Sequence, residues 1–308
     1  MERFFKMSSI KTIRDRYLRY LKLERNYSGN TLEAYAFDMD DYLAWAAEEG
    51  VDLLQATTAD IERYATAVRE QGKSATTLAR RLSGLRSLYR FLLMDHYIDV
   101  DPTELLDAPV LGQHLPEVLT TAEVDRMKAG IDVSKWEGQR NRAIIEVLFS
   151  CGLRVSELVS LHLSDLYLDQ HFVRVLGKGQ KERLVPISDA AIRELQLWFI
   201  RRNELKIKAG EADYVFLNRR GNHLTRTMIL IMLKGTAAAA GIKKTVSPHT
   251  LRHSFATELL KGGADLRAIQ AMLGHESIRT TEIYMHMDTT QLREEILEHH
   301  PRNIRRAD

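Results

Sequence analysis

The amino-acid sequence predicts a mainly α protein in two parts: an N-terminal four-helix bundle and a C-terminal mixed α+β domain with a small antiparallel β-sheet. Three observations carry this. Four successive segments in the first hundred residues repeat apolar side chains at helical spacing. Residues 108–117 then hold two prolines and one glycine with no periodicity, which reads as a linker between domains 1–107 and 118–308. One stretch, 163–187, gathers β-formers around Gly177-Lys178-Gly179-Gln180, as a β-hairpin does, while the chain on either side is helical.

The first helix, over 10–23, places Ile13, Tyr17, Leu18 and Leu21 on one side. Ser28 to Thr31 supplies caps for a second, to 49, with Leu32, Tyr35, Phe37, Met39, Leu43 and Trp45, and Gly50 stops it. Thr57 to Asp60 opens a third, to 71. The fourth runs over 75–94 with Leu82, Leu85, Leu88, Tyr89 and Leu92 as its apolar side. In the second domain Thr120 to Glu123 caps a helix, and others are expected over 138–151 and 155–161. The segments FVRVLG and KERLVPI form the hairpin, with a third strand at 165–168. Helices follow over 188–206 and 225–240, with 214–217 a strand or a buried loop between them. Ser247 caps and Pro248 starts the next helix, in which Leu251, Phe255, Leu259 and Leu260 recur at helical spacing until Gly262-Gly263 stops it. A short helix from Asp265 ends at Gly274. Another begins near Ser277 and carries Tyr284, a last one spans 289–299, and a polar tail closes the chain.

With 308 residues, 28% charged and 44% apolar, the chain reads as an ordinary two-domain globular protein. The single cysteine, Cys151, excludes an internal disulfide, and no apolar run reaches the roughly 18 residues of a membrane span. The N-terminus lacks the apolar core of a signal peptide, so the expected location is cytoplasmic, with no membrane partner. The net charge of +2 is too weak to argue for nucleic acid; its distribution is more useful. The first 107 residues carry −3 and the remainder +5. Between Glu70 and Asp95 stand Lys73, Arg80, Arg81, Arg86 and Arg90 with no acidic residue among them. That is the pattern of a helix contacting a DNA backbone, or equally of a solvated face. Lys73, Arg80, Arg81 and Arg86 are the candidate DNA contacts.

The chemistry concentrates in the C-terminal domain. Arg154 follows Gly152-Leu153 at a helix start, Lys178 sits on the hairpin tip, and His249 and Arg252 lie three apart and share a helix face. His275 follows Gly274, and Tyr284 comes nine residues later. Two guanidiniums offer planar forks for the non-bridging oxygens of a phosphodiester and for the extra charge of a pentacoordinate transition state. A phenol is a nucleophile once a base or cations lower its cost. An ammonium can protonate a leaving oxygen, and imidazoles carry protons at neutral pH. Taken singly each residue has a blander role: Arg154 an ion pair with Glu157, Lys178 a solvated turn lysine, His275 a helix cap, Tyr284 a core tyrosine. His249 and His253 have the spacing of a metal pair, but HTLRH lacks the glutamate of HExxH and no third ligand is evident.

The segments CGLRVSEL, GKGQKERLVPI, SPHTLRHSFATELLKGG and LGHESIRTTEIYMHM resemble, in order and interval, the motif blocks of the tyrosine recombinase (phage integrase) family, most closely its bacterial Xer branch. The resemblance spans the whole chain, since the helical bundle also looks like that family's core-binding domain. It implies that Arg154 and Arg252 clamp the scissile phosphate, Lys178 is the general acid for the leaving 5′-hydroxyl, His249 assists proton transfer and His275 hydrogen-bonds the phosphate. Tyr284 becomes a 3′-phosphotyrosine, and Glu157 matches an acidic position that supports the arginines. The covalent link conserves the phosphodiester energy, so neither cofactor, metal nor ATP is expected. The partners implied are a double-stranded DNA recombination site, three further protomers forming a homo- or hetero-tetramer with a paralogue, and a cell-division DNA translocase. The resemblance also implies a clamp around the duplex and a last helix packed on the neighbouring protomer, although an intramolecular helix reads the same way. The activity expected is site-specific recombination in chromosome-dimer resolution. Integration of a mobile element by the same chemistry, or DNA binding without catalysis, are the alternatives.

Overall fold

The computed structural model describes residues 2–106, 117–177, 181–274 and 289–303 and divides into two compact units, Met1–His114 and Leu115–Asp308. Of the expected linker, only Glu117 lies among the described residues.

The first unit is built from α1 (Glu2–Leu23), α2 (Gly29–Glu48), α3 (Thr58–Glu70) and α4 (Ala75–Met94). Helix α1 starts before the expected residue 10, as a stretch without glycine or proline allows. Ser28, Thr57 and Ser74 each accept a backbone N–H of the first turn, and Asp60 reciprocates at Thr57 to complete a capping box. Leu78, Leu82, Leu85, Leu88 and Leu92 of α4 are all buried against Ile13, Tyr17, Leu21, Met39 and Ile61. Each leucine so buried is worth about 2 kcal/mol of apolar transfer. The interior also holds polar rings satisfied among themselves: the Tyr42 and Tyr89 hydroxyls meet at 2.7 Å, and the Tyr64 hydroxyl donates to Asp41 at 2.8 Å.

The second unit contains α5 (Thr121–Ala129), α6 (Trp136–Cys151), α7 (Val155–Val159), β1 (Leu166–Tyr167), β2 (Phe172–Leu176), β3 (Glu182–Pro186), α8 (Asp189–Asn203), α9 (Arg226–Ala239), α10 (Pro248–Gly262), α11 (Leu266–Leu273) and α12 (Thr289–His299). The strands form one antiparallel sheet in the order β1-β2-β3, with Val175 opposite Arg183. Helix α6 is the axis. From Ala143 to Cys151 every residue is buried, packed by α8 on one side and α10 on another. The stretch 214–217 is a buried connector: Tyr214 and Leu217 make isolated bridges to His162 and His223, and Val215 to Leu217 are fully covered. Helix α8 stops at Asn203, short of the expected 206, where the buried Arg202 turns its guanidinium onto the carbonyls of Ala212 and Tyr214.

At the end of the chain the last helix follows the intramolecular reading, and the tail departs from expectation. Helix α12 packs on its own chain, against α10, α11 and β3. Its approach to α10 is so close that a Cβ on Gly262 would lie 2.2 Å from the His299 carbonyl oxygen. Residues 300–303, expected as a polar tail, are docked. His300 is fully buried between Phe149 and Phe255, its Nε2 facing the Phe149 carbonyl at 3.2 Å and its Nδ1 facing the Arg302 amide at 3.2 Å. Arg302 pairs with Asp125 and Glu146 and lies over the Phe149 ring. Among the described residues no helix is long and apolar enough to cross a membrane.

Candidate active site

The site is assembled from two helix ends and a helix start. Helix α6 ends at Gly152, whose φ of +59° is the left-handed conformation glycine adopts without penalty. A side chain there would also collide with Phe255, 2.4 Å from an added Cβ. The sharp exit carries the chain through Leu153 to Arg154, the N-cap of α7. Glu157, three residues on, accepts the Arg154 amide at 2.7 Å and its Nη1 at 2.8 Å. The ion pair expected of Arg154 with Glu157 is thus present, and 38% of the Arg154 side chain remains exposed.

Helix α10 starts as expected, with the Ser247 hydroxyl accepting the Thr250 amide at 3.1 Å and Pro248 in the first turn. Its buried stripe of Leu251, Phe255 and Leu259 orients Arg252 inward. Arg252 donates from Nη1 to the Gly152 carbonyl at 2.6 Å and from Nη2 to the Leu273 carbonyl. His249, one turn earlier, is exposed. Arg154 in turn donates from Nη2 to the Gly274 carbonyl at 2.9 Å.

A third arginine, which the sequence reading missed, completes the cluster. Arg183 on β3 donates from Nη1 and Nη2 to the two oxygens of Glu157, both at 2.9 Å, and from Nε to the Met272 carbonyl at 2.9 Å. The signal was strand alternation: Arg183 shares the inward face with Val185 while Glu182 and Leu184 point out, and an inward arginine needs a partner. Three successive carbonyls at the C-terminal end of α11, those of Met272, Leu273 and Gly274, thus each receive a different guanidinium. Helix C-termini leave such carbonyls without intrahelical partners and carry partial negative charge, so they suit cations.

The electrostatics are lopsided. Among the described residues Arg154, Arg183 and Arg252 share a single carboxylate. Burial pushes the Glu157 carboxyl up, but the Arg183 fork and its charge, with the Arg154 amide and side chain, more than offset this and hold it below the ordinary range. Burial, reinforced by the charges of Arg154 and Arg183 against the pull of Glu157, lowers Arg252 to about 10, so it is cationic at neutral pH yet under-compensated. Among the described residues Arg154 and Arg252 each commit two of their five N–H groups to protein acceptors.

Lys178, His275 and Tyr284 lie outside the described residues. Gly177 and Gly274, which immediately precede the first two, are described and lie beside Arg183. In the bundle, Arg81 corrects an expectation. It is 3% exposed and donates to Asp41 at 2.5 Å, so its guanidinium serves the interior of the bundle. Arg80 is paired with the buried Asp38, and Arg86 donates to the Leu106 carbonyl at 2.6 Å. Lys73 is exposed and makes no ion pair among the described residues.

Comparison with known proteins settles the family. A model of the phage integrase family matches residues 117–291, and a model of the phage integrase N-terminal SAM-like domain matches 15–96. The chain belongs to the phage integrase family. It is 40% identical to tyrosine recombinase XerD of Staphylococcus aureus over 95% of this chain and all of that one. It is 41% identical to the XerD of Chlorobaculum tepidum over 93% of this chain and 95% of that one. Among solved structures, XerH site-specific recombinase bound to palindromic difH substrate in a post-cleavage complex shares the fold, with a TM-score of 0.69 and 24% identity over 92% of this chain and 84% of that one. The protein is thus a site-specific tyrosine recombinase of the XerC/XerD type, a DNA strand transferase.

Proposed function

We propose that this recombinase cuts and rejoins DNA with Tyr284 as nucleophile and Arg154 and Arg252 as the phosphate clamp. The Tyr284 oxygen bonds to phosphorus while the bond to the 5′-oxygen breaks. The phenolic proton passes to His249, Lys178 donates a proton to the departing 5′-oxygen, and His275 hydrogen-bonds the phosphate. A 5′-hydroxyl from a partner strand reverses the step and completes strand exchange, without metal or ATP. The observation that carries the clamp is the three-to-one ratio of guanidiniums to carboxylate among the described residues. The two surplus charges match a phosphodiester monoanion in the ground state and a dianionic pentacoordinate phosphorane in the transition state, where the second charge adds attraction only as the reaction proceeds.

The same reading extends to the assembly. Two recombination sites in double-stranded DNA are bound by four protomers, this chain working with a XerC-like paralogue, in chromosome-dimer resolution at cell division in the cytoplasm, with a DNA translocase as activator. Similarity to the XerD relatives supports this role. A suicide duplex nicked near the cleavage position tests the chemistry. Wild type traps as a covalent protein–DNA species and Tyr284→Phe traps none; equal trapping by both sinks the assignment of Tyr284.

A further inference from the structure

Arg183 occupies a singular place. Its side chain is 11% exposed, against 38% for Arg154, so its fork faces protein. Three of its N–H groups are fixed by Glu157 and by the Met272 carbonyl. Its flat guanidinium also lies on two glycines. A Cβ on Gly274 would stand 3.3 Å from its Cδ, Nε and Cζ, and a Cβ on Gly177 would stand 3.4 Å from its Nη1. The chain continues from Gly177 directly into Lys178, and from Gly274 directly into His275. One side chain therefore fills the space that a side chain would need at the glycine before the hairpin lysine and at the glycine before the second histidine. It also holds the carboxylate that orients Arg154.

We propose that Arg183 is a positioning residue that sets Lys178 and His275 against the phosphate held by Arg154 and Arg252, through its contacts with Gly177, Gly274, Glu157 and the Met272 carbonyl. A single ammonium cannot reproduce this, since it lacks the planar fork that reaches two carboxylate oxygens and a carbonyl at once. The inference rests on the general-acid role given to Lys178 above.

The test uses the full-length chain and nicked duplexes with either an oxygen or a sulfur 5′ leaving atom, since a thiolate leaves without a proton. Arg183→Gln and Arg183→Lys are both expected to cleave the oxygen substrate about 100-fold more slowly than wild type, in the range of a lost general acid. On the sulfur substrate Lys178→Ala run alongside recovers to within a few-fold of wild type, and the Arg183 variants recover the share that belongs to Lys178 while keeping the smaller deficit that belongs to His275. Hydrogen exchange on the same variants should rise in peptides covering 175–182 and 270–276 and stay unchanged in α6. An Arg183→Lys variant that cleaves the oxygen substrate at the wild-type rate overturns the proposal, as do Arg183 variants equally slow on both substrates. Should Lys178→Ala gain nothing from sulfur, the lysine's role falls instead, and hydrogen exchange alone decides for Arg183: raised exchange in both segments upholds it and unchanged exchange rejects it. Melting temperature, expected to shift by only a few degrees, separates either result from simple unfolding.

Discussion

In the bundle, Arg80 and Arg81 face Asp38 and Asp41, two guanidiniums to two carboxylates. In the second unit, Arg154, Arg183 and Arg252 share Glu157. Both clusters are at least partly buried. They differ in what is left over. The bundle cluster is charge-balanced, two guanidiniums to two carboxylates, with Asp41 also receiving the Tyr64 hydroxyl. Burial there even pushes the Asp38 carboxyl up, against the pull of Arg80 and Arg81. The cluster in the second unit has, among the described residues, two charges without a carboxylate and carbonyl partners in their place. Balanced charge holds a bundle together, whereas unbalanced charge held by carbonyls waits for an anion.

The largest effect that would separate the two clusters is on catalysis. Arg252→Gln should slow cleavage of a nicked duplex about 1,000-fold, roughly 4 kcal/mol of transition-state stabilisation, while lowering unfolding stability by only about 1 kcal/mol. Single-turnover cleavage and urea unfolding measure the two numbers. A variant that loses stability but keeps its cleavage rate would make Arg252 structural and erase the contrast.

Arg81→Met should behave in the opposite sense. Removing one partner of a balanced buried pair leaves Asp41 uncompensated and should cost about 3 kcal/mol of unfolding stability, with cleavage below the melting point changed only a few-fold. Adding Asp41→Leu should restore most of the loss. If Arg81→Met instead weakens DNA binding at unchanged stability, Arg81 is a DNA contact after all.

A smaller and more gradual effect comes from His300. Burial, together with the nearby Arg302 charge and against the help of the Phe149 carbonyl, lowers its imidazole to about 4. The neutral ring donates at Nε2 and accepts at Nδ1, and a second ring proton would face the Arg302 amide. The unfolded chain, near 6.5, binds a proton that the folded chain refuses. This contribution to stability is therefore fully present above pH 6.5 and lost as pH falls toward 4, up to about 3 kcal/mol. His300→Phe should flatten the stability profile of the catalytic unit across that interval. An unchanged slope would place the titration elsewhere.

Much of this was legible in the residues. Capping side chains and 3.6-residue periodicity located α2 to α6 and α8 to α12, because those features are local. Arg154, Glu157 and Arg252 could be read from their motifs. What stayed hidden depends on contacts across the chain. Nothing local distinguishes Arg81, which turns inward, from Lys73, which does not; only the placement of Asp41 on another helix decides it. Arg183 meets Glu157 across 26 positions and Met272 across 89. His300 and Arg302 read as tail until the cleft between Phe149 and Phe255 is known to receive them.

The burial of Arg81 also changes how the bundle would be felt by a duplex. Counterions condensed on DNA are released by cations that reach the phosphates, and each released ion adds to the salt dependence of binding. Five basic residues between Glu70 and Asp95 look like five such cations. Yet Arg81 is enclosed and Arg80 is paired with Asp38, which leaves Lys73, Arg86 and Arg90 as the members of this run with no carboxylate partner among the described residues. In a contact between this run and a duplex, the number of ions released would follow those three rather than the formal charge of the sequence.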